Sequence, residues 1–294
     1  MTRKRKLEKA PLVYALIQVR TTEIPNLKDK VDSIHEKMMS VDLIDKQEVK
    51  SKNLHLTFNV SDGRQSSNQG ETITSYRFYN NDRTVCVVLE PTQIMLKATK
   101  YDTFNKIIAL FESVLRFCND SIVSFEKIRL NRIGVRFIDA LIPVGNKDVN
   151  EYLADNTFND FAGPITGGAN VGLLSERTSY IPTDTGFLRA SIGQHHKSTD
   201  GRVMLLPSDL AEGGDIALKP IIQDHWRGLG DNRYAILDTD HFQEYPTEEN
   251  IRLDIDNTLK MINCLRKANS DVFWNILSET AKLDYGYTET EINE

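Results

Sequence analysis

The 294-residue sequence predicts an α+β fold: a large, mostly antiparallel, curved sheet with helices on one face, assembled from two similar β-α-β4-α half-domains. Three observations predict it. One strand, one helix, four strands and a closing helix follow one another over residues 12–120, and the same order recurs over 121–288. Each closing helix carries one apolar stripe, which has to be buried against something. Several strands alternate apolar and polar residues, so each has one face for a core and one for another purpose. The halves share element order, not residue-by-residue identity.

Residues 1–11 form a basic leader with Arg3, Lys4, Arg5, Lys6 and Lys9. It reads either as an arm for an acidic partner or as a solvated, disordered lead-in to Pro11. The first strand is Leu12–Arg20. Pro25 and Asn26 open a helix whose Leu27, Val31, Ile34 and Met38 fall at helical spacing. Residues 54–60 alternate as a strand, and residues 61–72, rich in Gly, Ser, Gln and Asn, read as a flexible loop. Short strands follow at 75–79, 84–90 and 93–99, separated by Asn80-Asn81-Asp82 and Glu90-Pro91-Thr92 turns. The closing helix, residues 103–118, buries Phe104, Ile107, Ile108, Phe111 and Leu115.

The second half opens on a long strand, 126–142, and a helix at 149–158. The glycine-rich run 163–168 lacks the Gly-Lys-Ser/Thr ending of a phosphate loop and precedes a strand, so it reads as a connection. Strands are expected at 172–181, 187–194, 202–206 and 234–242, with an insertion or long loop over 207–232. Thr247 caps a helix striped by Ile251, Ile255, Leu259 and Ile262. Asn269-Ser270-Asp271 offers a break and a new cap before a second helical piece with Val272, Phe273, Ile276 and Leu277. The acidic tail after Tyr287 reads as frayed.

Composition narrows the function classes. The net charge is −6, which does not suit nonspecific coating of DNA, although a local basic groove is compatible with it. No apolar run approaches the ~20 residues of a membrane span, and no secretory signal is evident. The three cysteines, Cys86, Cys118 and Cys264, are distant in sequence and read as buried thiols of a cytoplasmic protein. Trp226 and Trp274 read as packing residues.

Several segments together resemble a sporadically distributed family of uncharacterised bacterial proteins. They are Ala10-Pro11-Leu12-Val13-Tyr14-Ala15 with Gln18-Val19-Arg20, and Tyr76-Arg77-Phe78 leading through Val85-Cys86-Val87-Val88-Leu89 to Tyr101 and Phe104. Arg132-Ile133-Gly134-Val135-Arg136-Phe137-Ile138, Leu237-Asp238-Thr239-Asp240 and Val272-Phe273-Trp274-Asn275 complete the set. The resemblance implies a bacterial protein with no assigned chemistry. Its patchy distribution suggests a defence or toxin–antitoxin module. Separately, the element order resembles the duplicated saddle of the TATA-binding-protein-like fold, an analogy of topology alone.

Candidate binding residues lie on the strand opening the second half. Alternation puts Ile133, Val135 and Phe137 on one face and Arg132, Gly134 and Arg136 on the other. The guanidinium groups would flank the glycine about 13 Å apart along the backbone, and the glycine would let a ligand or another backbone come close. Arginine's planar fork suits phosphate or carboxylate. Asp238 and Asp240 also share a face of their own strand, so the alternative is a pair of internal ion pairs. Asp238, Asp240 and His241 together are a weak metal set, and His195-His196 point to opposite faces of a strand. No nucleophile elbow, Cys–His pair, resident metal or cofactor motif is evident. The expected role is that of a non-catalytic binding or adaptor protein with a protein or nucleic-acid partner, self-association being a further option. Alternatives are nucleic-acid or nucleotide binding through the arginine-lined face, and a metal-dependent enzyme of unknown class.

Overall fold

A computed structural model describes residues 2–58, 65–100, 102–154, 173–196, 203–224, 226 and 233–292. A nine-stranded antiparallel sheet and helices give an α+β fold. The strands are β2 (Leu12–Thr21), β3 (Leu43–Phe58), β4 (Gln65–Asn80), β5 (Val85–Glu90), β6 (Gln93–Ala98), β7 (Leu130–Leu141), β8 (Leu173–Thr183), β9 (Gly186–His196) and β10 (Arg233–Glu244). Their order is β3-β4-β5-β6-β2-β7-β10-β9-β8. The first half of the chain therefore supplies one block, the second half the other, and β2 and β7 form the joint.

The helices α1 (Leu27–Met38), α2 (Phe104–Ser121) and α3 (Ile255–Ile276) pack on one face of this sheet. Each does so because its apolar residues form one stripe. Leu27, Val31, Ile34 and Met38 of α1 join Phe111 and Leu115 of α2 and Ile262 and Leu265 of α3 in a single core. From the sheet come Ile17 and Val19, Phe78, Val87, Leu96, and Ile133, Val135 and Phe137. Alternation thus sends Arg132, Gly134 and Arg136 to the face without helices. No helix among the described residues is long and apolar enough to cross a membrane.

Several elements depart from the sequence reading. Residues 65–72, expected as loop, belong to β4, because β3 continues opposite them through Phe58↔Gln65. Residues 59–60 and 61–64 lie outside the described residues. The strand expected from residue 126 starts at Leu130, after a 3-10 turn over Phe125–Lys127. The helix expected at 149–158 is a one-turn 3-10 helix, Val149–Tyr152, capped by Asp148 and Glu151; residues 155–158 are not among those described. Residues 203–206 form no strand, since Leu205 and Leu206 serve as side-chain anchors on the sheet. Helix α3 starts eight residues after Thr247, with Asp254 as its cap, because Asn250 takes a left-handed conformation after a short 3-10 turn. The break expected at Asn269 does not occur. Asn269 is buried and its Nδ2 donates to the Val135 carbonyl at 2.9 Å, so a tertiary contact overrides a weak local preference.

The termini also differ from expectation. The leader forms β1 (Thr2–Leu7), which pairs with β11 (Tyr287–Ile292) in a separate two-stranded sheet. Arg5 faces Glu289 in register, with an Nε–Oε1 distance of 3.9 Å. The basic leader and acidic tail thus partner each other. Between α3 and β11 a short helix, α4 (Glu279–Asp284), is capped by Ser278, whose Oγ accepts from Ala281 N. Of the cysteines, Cys86 and Cys118 are buried, and burial pushes both thiols up to about 12. Cys264 is exposed on α3, where its position falls off the apolar stripe.

Candidate functional site: a half-covered sheet face

Among the described residues, the helix-free face divides into a half covered by chain and a half left uncovered. Residues 203–224, which take in the larger described part of the stretch 207–232 read as an insertion, lie across one half as a strap; residues 225 and 227–232 lie outside the described residues. Leu205, Leu206, Leu210 and Leu218 pack on Tyr14, Ile138, Ala140, Tyr234 and Ile236, with buried Trp226 in the same cluster. The Tyr79 hydroxyl donates to Ile216 O at 3.0 Å and the Thr99 hydroxyl to Lys219 O at 2.6 Å, so sheet side chains satisfy the strap's backbone.

Charges fasten the strap as well. Glu212 accepts from Arg77 Nη1 at 2.8 Å and Lys97 Nζ at 2.7 Å. Burial opposes ionisation of Glu212, but the two cations outweigh it and hold its pKa below the usual carboxylate range. Asp209 accepts from Arg136 Nη1 at 2.5 Å. Arg136 also donates from Nε and Nη2 to the two Asp238 oxygens at 2.8 and 2.7 Å, a bidentate pair. Arg189 Nη2 reaches the same Asp238 at 2.6 Å. Burial disfavours the Arg136 charge, yet the hydrogen bonds it donates to Asp238 and Asp209 raise its pKa overall. Arg136 is 8% exposed and Asp238 5%, so this pair lies inside the protein beneath the strap.

Arg132 is in a different position. Its nearest carboxylates are Asp240 at 3.4 Å and Glu244 at 3.9 Å, both long contacts. Its guanidinium carbon sits 3.8 Å from the centre of the Phe242 ring, a cation–π contact. Its Nε is buried without a hydrogen-bond partner among the described residues. Arg20 stands directly opposite in the β2–β7 register. Burial foremost, and then Arg20 and Arg136, lower the Arg132 pKa, against the pull of Asp240 and Glu244. Burial likewise raises the pKa of Asp240 although three arginines oppose it. Like charges directly opposite in a sheet are destabilising, so the Arg20–Arg132 pair is a local electrostatic cost.

Gly134 is buried. An added Cβ there would meet Phe242 Cβ at 3.6 Å and Arg132 Nε at 3.7 Å, which are ordinary contacts. The strip expected to lie open between the arginines is therefore roofed by Arg132 itself. Next to it the uncovered half carries Phe187 opposite Phe242, with ring centres 6.3 Å apart, and Tyr180 opposite Arg189. Phe187 is 56% exposed and Tyr180 76%. Two large aromatic side chains thus stand in solvent beside arginines instead of packing into a core.

The four candidate residues thus separate into a buried pair, Arg136–Asp238, and a loosely paired rim couple, Arg132–Asp240. His241 does not join Asp238 and Asp240. It faces the helices, where Nδ1 contacts Leu265 O and Nε2 contacts Thr183 Oγ1, both at 2.9 Å. No group of three or more His, Cys, Asp or Glu placed to hold a metal exists among the described residues. Sequence reasoning missed Asp209 and Glu212, which belong to no motif, and Arg20, Tyr180 and Phe187. An outward position next to an arginine in an alternating strand was the available signal for these last three.

His241 has a testable consequence. Burial lowers its pKa below 6.5, so the unfolded chain takes up a proton before the native state does. Stability from neutral His241 is present above about pH 6.5 and is lost as pH falls below it. The stability difference between wild type and His241→Gln, from urea unfolding, is expected to be smaller at pH 5.5 than at pH 7.5. A constant difference would contradict the assignment.

No family model matches the chain, and no curated protein matches it.

Proposed function

We propose that this chain is a non-catalytic binding protein whose uncovered sheet half receives a macromolecular partner, in the first instance a protein. The exposed Tyr180–Phe187 pair beside Arg132 and Arg189 supports this reading. Tyrosine and arginine are enriched where protein interfaces concentrate their binding energy. The local cations face carboxylates of the chain, Arg189 with Asp238 at 2.6 Å and Arg132 with Asp240 at 3.4 Å, and the net charge is −6. That balance favours a protein over a polyanion, whose affinity depends on unspent cations. The resemblance to a family of bacterial proteins supports a setting in bacterial cytoplasm, within a defence or toxin–antitoxin module.

Replacing Tyr180 and Phe187 together by serine is expected to release the native co-purifying partner. The melting temperature should change little, because exposed positions contribute within about 0.5 kcal/mol. Retention of the partner by this variant would count against the surface.

The juxtaposed Arg20 and Arg132 beside three aromatic rings favour a second reading, single-stranded nucleic acid stacked on the sheet. It predicts saturable binding of a labelled oligonucleotide that weakens steeply between 50 and 200 mM salt. Anisotropy without saturation at the lower salt would dismiss it.

A further inference from the structure

A cavity of about 380 Å³ lies between the strap and the sheet, away from the uncovered half. A register irregularity between Leu12 and Tyr14 leaves Val13 as a bulge, and both Val13 and Tyr14 line the cavity. Bulges re-aim side chains and are common beside functional sites. The remaining wall is mostly apolar, with Leu206, Leu210 and Ala217 contributed by the strap. Glu212 is its charged member and is held by two cations, Arg77 and Lys97, so this cluster carries a net positive charge.

One donor on this wall lacks an acceptor. Tyr14 is 3% exposed and its hydroxyl has no hydrogen-bond partner among the described residues. Burial first, then Glu212 and Cys86, raise the Tyr14 pKa against Arg136 and Arg77, which keeps the hydroxyl a neutral donor. Buried polar groups are ordinarily satisfied, and an orphan on the wall of a chamber calls for an acceptor from within it, a water or a ligand. The volume is roughly two and a half times the ~150 Å³ that takes up benzene. It falls within the range of small-molecule sites.

We propose that this cavity binds a small amphiphilic carboxylate, with a chain of roughly eight to ten carbons among the strap leucines and its acceptor head towards Tyr14. The site is independent of the partner surface on the other half of the sheet.

Calorimetric titration of the full-length protein with octanoate, octylammonium and toluene tests it. Octanoate is expected to saturate at one equivalent, and octylammonium is not expected to compete. Tyr14→Phe should leave the ligand-free melting temperature unchanged or higher, because no hydrogen bond is lost. It should weaken octanoate about tenfold, the value of one hydrogen bond, and leave toluene binding unchanged. Ala217→Phe, or Leu210→Trp if the former does not fold, should abolish binding of both probes by filling the chamber. The proposal is overturned by absence of saturable octanoate binding, by equal affinity for octylammonium, by octanoate binding that survives a cavity-filling variant, or by a lowered ligand-free melting temperature of Tyr14→Phe.

Discussion

Replacing Arg136 with alanine is expected to lower stability by about 3–5 kcal/mol, the usual cost of removing one partner from a buried ion pair. Among the described residues, Asp238 would keep only the contact to Arg189, and Asp209 would lose its anchor on the sheet. The strap would loosen with it, so limited proteolysis within residues 203–224 should accelerate. Arg132→Ala, at the rim, should cost within about 1 kcal/mol, because its ion pairs are long and partly exposed. Urea unfolding of the two single variants measures both values. Equal and small losses would mean that Arg136 is not the structural member of the couple. Joint replacement of Arg136 and Asp238 by apolar residues should be less harmful than either single change, since a buried pair contributes mostly by avoiding an orphaned charge.

Replacing Asp139 with asparagine is expected to have the opposite sign, a gain that grows as pH rises from acid and is full above neutrality. Asp139 lies on the helix-covered face of β7, 6% exposed, opposite Leu12 and Leu237 in register. It has no hydrogen bond or ion pair among the described residues, and burial pushes its carboxyl up to about 7 from 3.8. The native state therefore holds a proton that the unfolded chain releases above 3.8. Stability from this site is full below that value, declines as pH rises, and is gone once pH passes about 7. At about 1.36 kcal/mol per pKa step, the whole swing is on the order of 4 kcal/mol. The stability of Asp139→Asn relative to wild type should thus climb between pH 4 and pH 8. A flat difference over that range would show that the carboxyl is not buried as described.

How much of this was legible in the sequence follows from the range of each signal. The stripe of α2 and the alternation through Ile133, Val135 and Phe137 are local patterns with one physical reading, and these elements formed as expected. Residues 65–72 were misread because glycine and asparagine mark loops statistically, whereas a long partner strand holds them in register. The same holds for Asn269, whose partner Val135 lies 134 positions away. Ion pairing of Arg132 and Arg136 with Asp238 and Asp240 was legible as the alternative to ligand binding, because all four sit on outward strand positions that adjacent strands bring together, but which arginine is buried was not. A further member, Asp209, was not legible either, because composition shows that 207–232 is loop-like but not where it lies. His241 was grouped with Asp240 by adjacency, although successive strand residues face opposite sides of the sheet.

The central claim is that a partner docks on the uncovered half while the strap occupies the other. A photo-crosslinking amino acid at position 187, compared in cells with the same group at Leu283, tests it most directly, since Leu283 is 80% exposed on α4, away from the sheet face. The account predicts one discrete, nuclease-resistant protein adduct from position 187 and none from position 283. The same adduct from both positions, or none from position 187, would contradict it.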